Sequence, residues 1–190
     1  KIMGIIYLMR HGETLFNLMN VNQGQCDSPL TQKGINQALN AHKYYKINNV
    51  KFDSIYSSSL KRACDTEKLV TNNMPFIECD DLKEISLGIK ESKPNKDNPA
   101  FPYGDYFVKY GGESIEEFTN RIYNAIFKIA TENKNNTTLI VSHGTVIRCF
   151  LMKISNDSKL YDSFIGNCGI VKLSFENDKF AVEDIINVNK

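Results

Sequence analysis

The sequence predicts a three-layer α/β/α sandwich with a mainly parallel central sheet and an antiparallel edge. Three observations predict it. Short apolar runs closed by turn residues, the mark of buried strands, alternate with segments of helical period. Two of these runs end alike: residues 5–9 lead into Arg10-His11-Gly12, and residues 138–141 into Ser142-His143-Gly144. Near the C-terminus, two further apolar segments flank Glu176-Asn177-Asp178-Lys179, a hairpin signal that supplies the antiparallel edge.

The elements follow in order. Residues 2–9 form the first strand, and residues 17–29 read as a polar loop. A helix opens at Leu30-Thr31 and runs to about residue 46, with Ile35, Ala38, Leu39 and His42 at helical spacing. Gly34 in its first turn reads as a penalty of ~1 kcal/mol relative to alanine. His42 has no motif around it and reads as a packing or surface residue. Residues 52–56 form a short second strand. Ser59 is a suitable N-cap for a helix over residues 60–70, which puts Arg62 in its first turn. An arginine opposes the positive end of the helix dipole there, so a bound anion would offset both charges.

Residues 76–82 form a third extended stretch leading to Glu84. Residues 92–110 hold three of the five prolines together with Phe101, Tyr103, Tyr106, Phe107 and Tyr110. Linkers rarely carry so many aromatics, so this excursion reads as a flap over a site or as an edge packed on the domain. Ser114 and Glu117 make a capping box for a helix with an apolar stripe of Ile115, Phe118, Ile122, Ile126 and Ile129. The second histidine strand, a helix to about residue 152, a short helix over 157–165 and the hairpin complete the chain.

Composition narrows the function classes. The 190 residues suit one domain (residues 1–190), and 42% hydrophobic with 24% charged residues fit a soluble globular protein. A net charge of +1 points to neither nucleic acid nor an anionic membrane, so any anion must be recognised locally. No apolar run reaches spanning length, and no secretory leader is evident at the start. Five scattered cysteines without a C-x-x-C pair argue against a disulfide framework and a zinc site, and for a reducing, cytoplasmic compartment.

Two of the three histidines, His11 and His143, close strands and precede glycine. Ligands bind beyond the carboxyl ends of strands in open α/β sheets. Such a pair could bind a metal, act as general acid and base, or serve as nucleophile and helper. Arg10 discriminates: a guanidinium beside His11 repels a cation and suits a phosphate, which it grips through forked, charge-assisted hydrogen bonds. Arg62 at a helix amino end adds a second grip. The chain has no phosphate-binding G-x-x-x-x-G-K-[ST] loop, no G-x-G-x-x-G after a strand and no G-x-S-x-G elbow. Without a metal or cofactor, phosphoryl transfer needs a protein nucleophile or a placed water. A neutral imidazole can carry the group covalently, and a carboxylic acid can protonate the leaving alkoxide.

These residues sit in blocks that resemble the histidine phosphatase superfamily, the phosphoglycerate mutase-like proteins. Leu8-Met9-Arg10-His11-Gly12-Glu13-Thr14-Leu15-Phe16-Asn17 resembles its signature L-x-R-H-G-x-T-x-x-N. Gln23-Gly24-Gln25-Cys26-Asp27-Ser28-Pro29-Leu30-Thr31 is similar to its Q-G-x-x-D-x-P-L-T block, and Ser57-Ser58-Ser59-Leu60-Lys61-Arg62-Ala63 with Thr66 to S-S-x-L-x-R-A-x-x-T. Leu82-Lys83-Glu84 with Gly88 and Glu91, Gly112-Glu113-Ser114, and residues 141–148 complete the set in the family's order. The resemblance implies that His11 is the nucleophile, that Arg10, Arg62 and His143 hold the phosphoryl oxygens, and that Glu84 donates a proton and then activates water. It also implies substrate contacts at Thr14, Asn17, Gln23, Gly24 and Gly144. Asp27 and Arg148 read as structural. A lone glutamate is ordinarily a solvated charge, so the role of Glu84 leans on the resemblance.

The family includes hydrolases and phosphoglycerate mutases. Mutases carry basic residues after the catalytic glutamate and an arginine pair in a long insertion. Here Ile85-Ser86-Leu87 follow Glu84, no arginine lies between Arg62 and Arg121, and Val21 replaces a basic residue. The expectation is therefore a metal-independent, broad-specificity phosphatase acting on small phosphorylated metabolites through a phosphohistidine. A mutase and a phosphate-binding protein with an inactive site are the alternatives. Lys93 and Lys96 would suit an acidic substrate, and the nearby aromatics a hydrophobic one.

Overall fold

The computed structural model describes residues 3–162 and 165–189. Its six-stranded sheet is built from β1 (Gly4–Arg10), β2 (Ser54–Ser58), β3 (Ile77–Cys79), β4 (Thr137–Ser142), β5 (Ile170–Glu176) and β6 (Lys179–Ile186), in the order β3-β2-β4-β1-β5-β6. The first four strands run parallel to one another, and β5 pairs antiparallel with both β1 and β6. The turn between β5 and β6 places Asn177 and Asp178 at φ 53° and 58°, the left-handed pair that a tight hairpin requires. The expected sandwich with its antiparallel edge is thus observed. The first strand begins at Gly4, and Ile2 lies outside the described residues.

The helices are α1 (Leu15–Leu18), α2 (Gln32–Ile47), α3 (Lys61–Thr71), α4 (Ile115–Glu132), α5 (Gly144–Ile154) and α6 (Ser158–Asp162). One core cluster holds the α4 stripe of Phe118, Ile122, Ile126 and Ile129 with Ile6, Leu8 and Ile140 of the sheet; on the other side, Ala38, Ala41 and Tyr45 of α2 pack with Tyr7, Met9 and Leu139. Each large apolar side chain so buried contributes about 1.5–3 kcal/mol. The Ser114–Glu117 capping box forms as the sequence indicates, and Thr31 caps α2 by accepting from Gly34 N. His42 bonds the Val70 carbonyl through Nδ1 at 2.8 Å, a packing role between two helices.

Four local expectations change. Residues 17–29 are not loop from their start: Thr14 and Asn17 form a capping box around α1. The second strand lies two residues later than expected, at Ser54–Ser58. Strand β3 is only three residues long, and the extended stretch turns at Asp80–Leu82 into a 3-10 helix. The N-cap of α3 is Leu60, not Ser59, and it makes no side-chain capping bond. Asp27 caps the helix from across the loop instead, accepting from Lys61 N at 2.7 Å and Arg62 N at 3.3 Å. Helix α6 covers the start of the expected 157–165 helix, and residues 163–164 lie outside the described residues.

The aromatic excursion is anchored. Phe107 is fully buried, Phe101, Tyr103 and Tyr106 pack against the same core, and a 3-10 turn at Val108–Tyr110 closes the segment. Gly34 has a packing reason that helix propensity does not reveal. A Cβ there would lie 2.1 Å from the Glu13 carbonyl oxygen, and one on Gly12 would lie 2.6 Å from the Gly34 oxygen. The first turn of α2 thus presses directly on the backbone that follows His11. Gly34→Ala is therefore expected to destabilise the protein by about 1–3 kcal/mol through overpacking, against the gain of about 1 kcal/mol that propensity alone predicts. Chemical denaturation of the two proteins checks the sign.

Candidate active site

The parallel pairing of β1 with β4 sets Arg10 opposite Ser142. The next residue on each strand is a histidine, so His11 and His143 leave the sheet side by side. Their ring centroids are 5.2 Å apart, with planes inclined at 61°. His11 Nδ1 lies 2.7 Å from the Gly12 carbonyl oxygen. That oxygen can only accept, so Nδ1 carries the proton and the lone pair resides on Nε2. Both imidazoles are held well below the ordinary histidine range, chiefly by burial and then by neighbouring charge, that of Arg62 and Arg10 on His11. They are neutral at physiological pH.

Arg62 is 1% exposed. Its guanidinium donates to the Gly24 carbonyl at 2.7 Å, the Cys26 carbonyl at 2.9 Å and Asp27 Oδ1 at 2.8 Å. Asp27 therefore has two functions at once: it caps α3 and offsets the charge of the arginine in its first turn, a task the sequence assigns to a bound anion alone. Arg10 Nη1 donates to the Ile165 carbonyl at 2.8 Å, which pins the second guanidinium at the cavity wall. Buried arginines of this kind are strongly oriented, and their like charges are costly unless an anion joins them.

Buried donors at this site remain unmatched among the described residues. Arg62 Nε has no hydrogen-bond partner, and neither does His143 Nδ1. His143 Nε2 lies 2.8 Å from Ser58 Oγ, which itself accepts from Leu60 N at 3.3 Å. Nε2 is the acceptor within reach of the Ser58 hydroxyl hydrogen among the described residues, and with that bond made the His143 proton is on Nδ1. Buried polar groups are nearly always paired, so such an orphan beside a cavity marks the place of an acceptor.

The cavity is about 250 Å³, and Arg10, His11, Asn17, Gly24, Arg62 and Gly144 are among the residues that line it. Asn17 Oδ1 accepts from Thr14 N and from Asn167 Nδ2, each at 3.2 Å, which turns its amide nitrogen away from those partners. Gln23 also lines the cavity. Thr14 does not: it is fully buried, and its hydroxyl donates to Gln23 Oε1 at 2.9 Å. Glu84 also lines the cavity, its Oε1 accepting from Ile85 N at 3.0 Å and its Oε2 from Thr145 N at 3.2 Å. Burial raises its carboxyl above the usual range, opposed by those two amides and by Arg62 and Arg10. Of the groups flanking the mouth, Tyr103, Phe107 and Arg148 line the cavity, whereas Lys93 and Lys96 do not. Arg148 also stacks 3.8 Å from the Phe101 ring centroid.

Several contributors carry no signal in a single sequence. Asn167 donates to the His11 carbonyl at 3.1 Å as well as to Asn17, from a loop 156 residues away. Ser58 belongs to a quoted block, yet its bond to His143 depends on β2 and β4 being neighbours.

This constellation places the chain in a known class. Residues 6–188 match the histidine phosphatase superfamily (branch 1), and the protein belongs to that family. It is 33% identical to the uncharacterized phosphatase PhoE of Bacillus subtilis (strain 168), over 98% of this chain and 96% of the relative. It is 32% identical to the metal-independent phosphoserine phosphatase of Arabidopsis thaliana, over 80% of this chain and 69% of the relative. Probable phosphoglycerate mutases also occur among the relatives. The fold superposes on the crystal structure of a phosphoglycerate mutase from Bacillus anthracis with a TM-score of 0.86, at 24% identity, covering 98% of this chain and 94% of that one.

Because burial and positive charge both favour the neutral rings, the ring protons of His11 and His143 in the ligand-free protein are expected not to shift between about pH 6 and pH 8, where a free histidine titrates. Proton NMR of the histidine side chains checks this. A mid-range titration of either ring would show that the field around it is not positive.

Proposed function

We propose that this protein is a metal-independent phosphatase that hydrolyses small phosphomonoesters through a phosphohistidine at His11. The observation that carries this reading is the pair of orphaned buried donors, Arg62 Nε and His143 Nδ1, beside a neutral imidazole whose lone pair is on Nε2. A phosphoryl group supplies the missing acceptors and neutralises both guanidiniums. The same donors are then fixed in place for the charge that develops during transfer.

In the first step His11 Nε2 attacks phosphorus and the bond to the ester oxygen breaks. Glu84, whose carboxyl burial raises above its usual range, gives its proton to the departing alcohol. In the second step the Glu84 carboxylate takes a proton from water, the resulting oxygen attacks phosphorus, and the electron pair of the P–N bond returns to Nε2. Glu84 ends protonated and inorganic phosphate leaves. Asn17, Gly24 and Gly144 border the phosphoryl group, and Gln23 and Thr14 act as a buried pair behind it.

Hydrolysis is favoured over mutase chemistry by the wall around the leaving group. Val21, Ile85, Leu87 and Phe107 line the cavity as apolar groups, and among the described residues the lining cation besides Arg10 and Arg62 is Arg148, which is stacked on the Phe101 ring and bonded to the Tyr161 carbonyl. Mutase-named relatives make that the second reading.

Hydrolysis of 4-nitrophenyl phosphate is expected to be unchanged by a chelator and to fall to background in His11→Ala; persistent turnover in that variant would reject the covalent role. With 3-phosphoglycerate, free phosphate is expected to accumulate whether or not 2,3-bisphosphoglycerate is present. Rapid formation of 2-phosphoglycerate that depends on the bisphosphate would instead establish the mutase.

A further inference from the structure

The Gly112-Glu113-Ser114 block has no chemical part in the steps above, although it stands among the sequence blocks of the site. Its surroundings assign it one. After β3 the chain crosses the rim of the sheet through the turn at Asp80–Leu82 and delivers Glu84 on a stretch with no strand or helix of its own. Backbone carbonyls on such a stretch need partners from elsewhere. Arg121 of α4 provides several of them: Nη1 donates to the carbonyls of Asp81 at 2.8 Å and Lys83 at 3.1 Å, and Nη2 approaches that of Glu84 at 3.5 Å.

Glu113 holds the other side. Its Oε1 accepts from Arg121 Nε at 2.9 Å, while its Oε2 accepts from Arg121 Nη2 and from Ser86 N, both at 2.8 Å. Its own backbone N donates to the Ser86 carbonyl at 2.9 Å. Gly112 permits this approach, since a Cβ there would lie 2.4 Å from the Ser86 oxygen. Glu84 lies within the stretch that these two grips hold. Its carboxyl in turn takes its orientation from two amides, that of Ile85, which belongs to the same clamped stretch, and that of Thr145 in the first turn of α5.

We infer that Arg121 and Glu113 form a forked clamp on residues 81–86 that aims the Glu84 carboxyl at the leaving group, making both of them positioning residues for proton transfer. The inference rests on the reading of Glu84 as the acid. Arg121 does not line the cavity and reaches Glu84 at its backbone carbonyl, so its hold on that residue runs through the backbone, and Arg121→Lys keeps the charge that also reaches His143. Small displacements of a catalytic group weaken transfer steeply. A lysine at 121 keeps the charge but lacks the planar fork that serves three carbonyls and a carboxylate together.

The test exploits leaving-group basicity. Phenyl phosphate and 4-nitrophenyl phosphate have similar shapes, but phenoxide is the more basic leaving group and depends more on an acid. Because kcat/KM reports events up to alcohol release, it isolates the step in which Glu84 protonates. Arg121→Lys and Glu113→Gln are each expected to lower kcat/KM for phenyl phosphate by about tenfold, a fraction of what full loss of a general acid removes, and that for 4-nitrophenyl phosphate by less than about threefold. Glu84→Gln serves as the reference and should show the same selectivity more strongly. If Arg121→Lys fails to fold, Glu113→Gln, which preserves size and one acceptor oxygen, decides alone. Equal losses on both substrates in the clamp variants, with Glu84→Gln still selective, would assign the pair to stability and overturn the inference. A Glu84→Gln protein without selectivity would overturn the acid reading and the clamp with it.

Discussion

The hydrogen bond from His11 Nδ1 to the carbonyl of its own neighbour Gly12 is the constraint on which the site depends. At 2.7 Å it settles which nitrogen carries the proton and which way the ring faces. It would have little value if the imidazole were charged. Burial and the guanidiniums of Arg62 and Arg10 prevent that, so the positive field keeps the ring neutral and its Nε2 lone pair available, and in the proposed reaction the same field binds the phosphate. The arrangement is stable without ligand because backbone carbonyls and Asp27 satisfy most of the arginine donors, while Arg62 Nε and His143 Nδ1 remain unspent.

The fold supplies this geometry through register and close approach. Pairing Arg10 with Ser142 brings the two histidines level on adjacent parallel strands. The contact of Gly34 with the Glu13 and Gly12 backbone sets the path of the chain just after His11. Thr66 Oγ1 accepts from Gly12 N at 3.0 Å, tying that same turn to the helix that carries Arg62. The histidine end of the site is thus held by strand ends and helix starts, whereas Glu84 sits on an irregular stretch whose carbonyls are bonded by Arg121 of α4.

Much of this was legible in the sequence, for a physical reason: strands, amphipathic helices and caps are local patterns, and His-Gly after an apolar run marks a strand end wherever it occurs. Arg62 stood out as a cation at the wrong end of a helix dipole. Its partner did not, because Asp27 lies 35 residues away and reaches the helix through space. Ser59 looked like the cap for the same reason, since local chemistry cannot see a remote carboxylate that takes the amides first. Gly34 looked like a mild defect because propensity knows only its own helix. Asn167 and the pairing of Arg121 with Glu113 depend on tertiary neighbours: Glu113 stands in a matched block, but nothing local ties it to Arg121 or to residues 81–86.

The central claim is that the nucleophile is the Nε2 atom of His11, exposed because Nδ1 is tied to Gly12. Trapping the enzyme during turnover by alkaline quench, followed by peptide mapping and phosphorus–nitrogen NMR of the phosphopeptide, tests it most directly. The account predicts a phosphoryl group on Nε2 of His11. Phosphorylation at Nδ1, on His143 or on a carboxylate would contradict it.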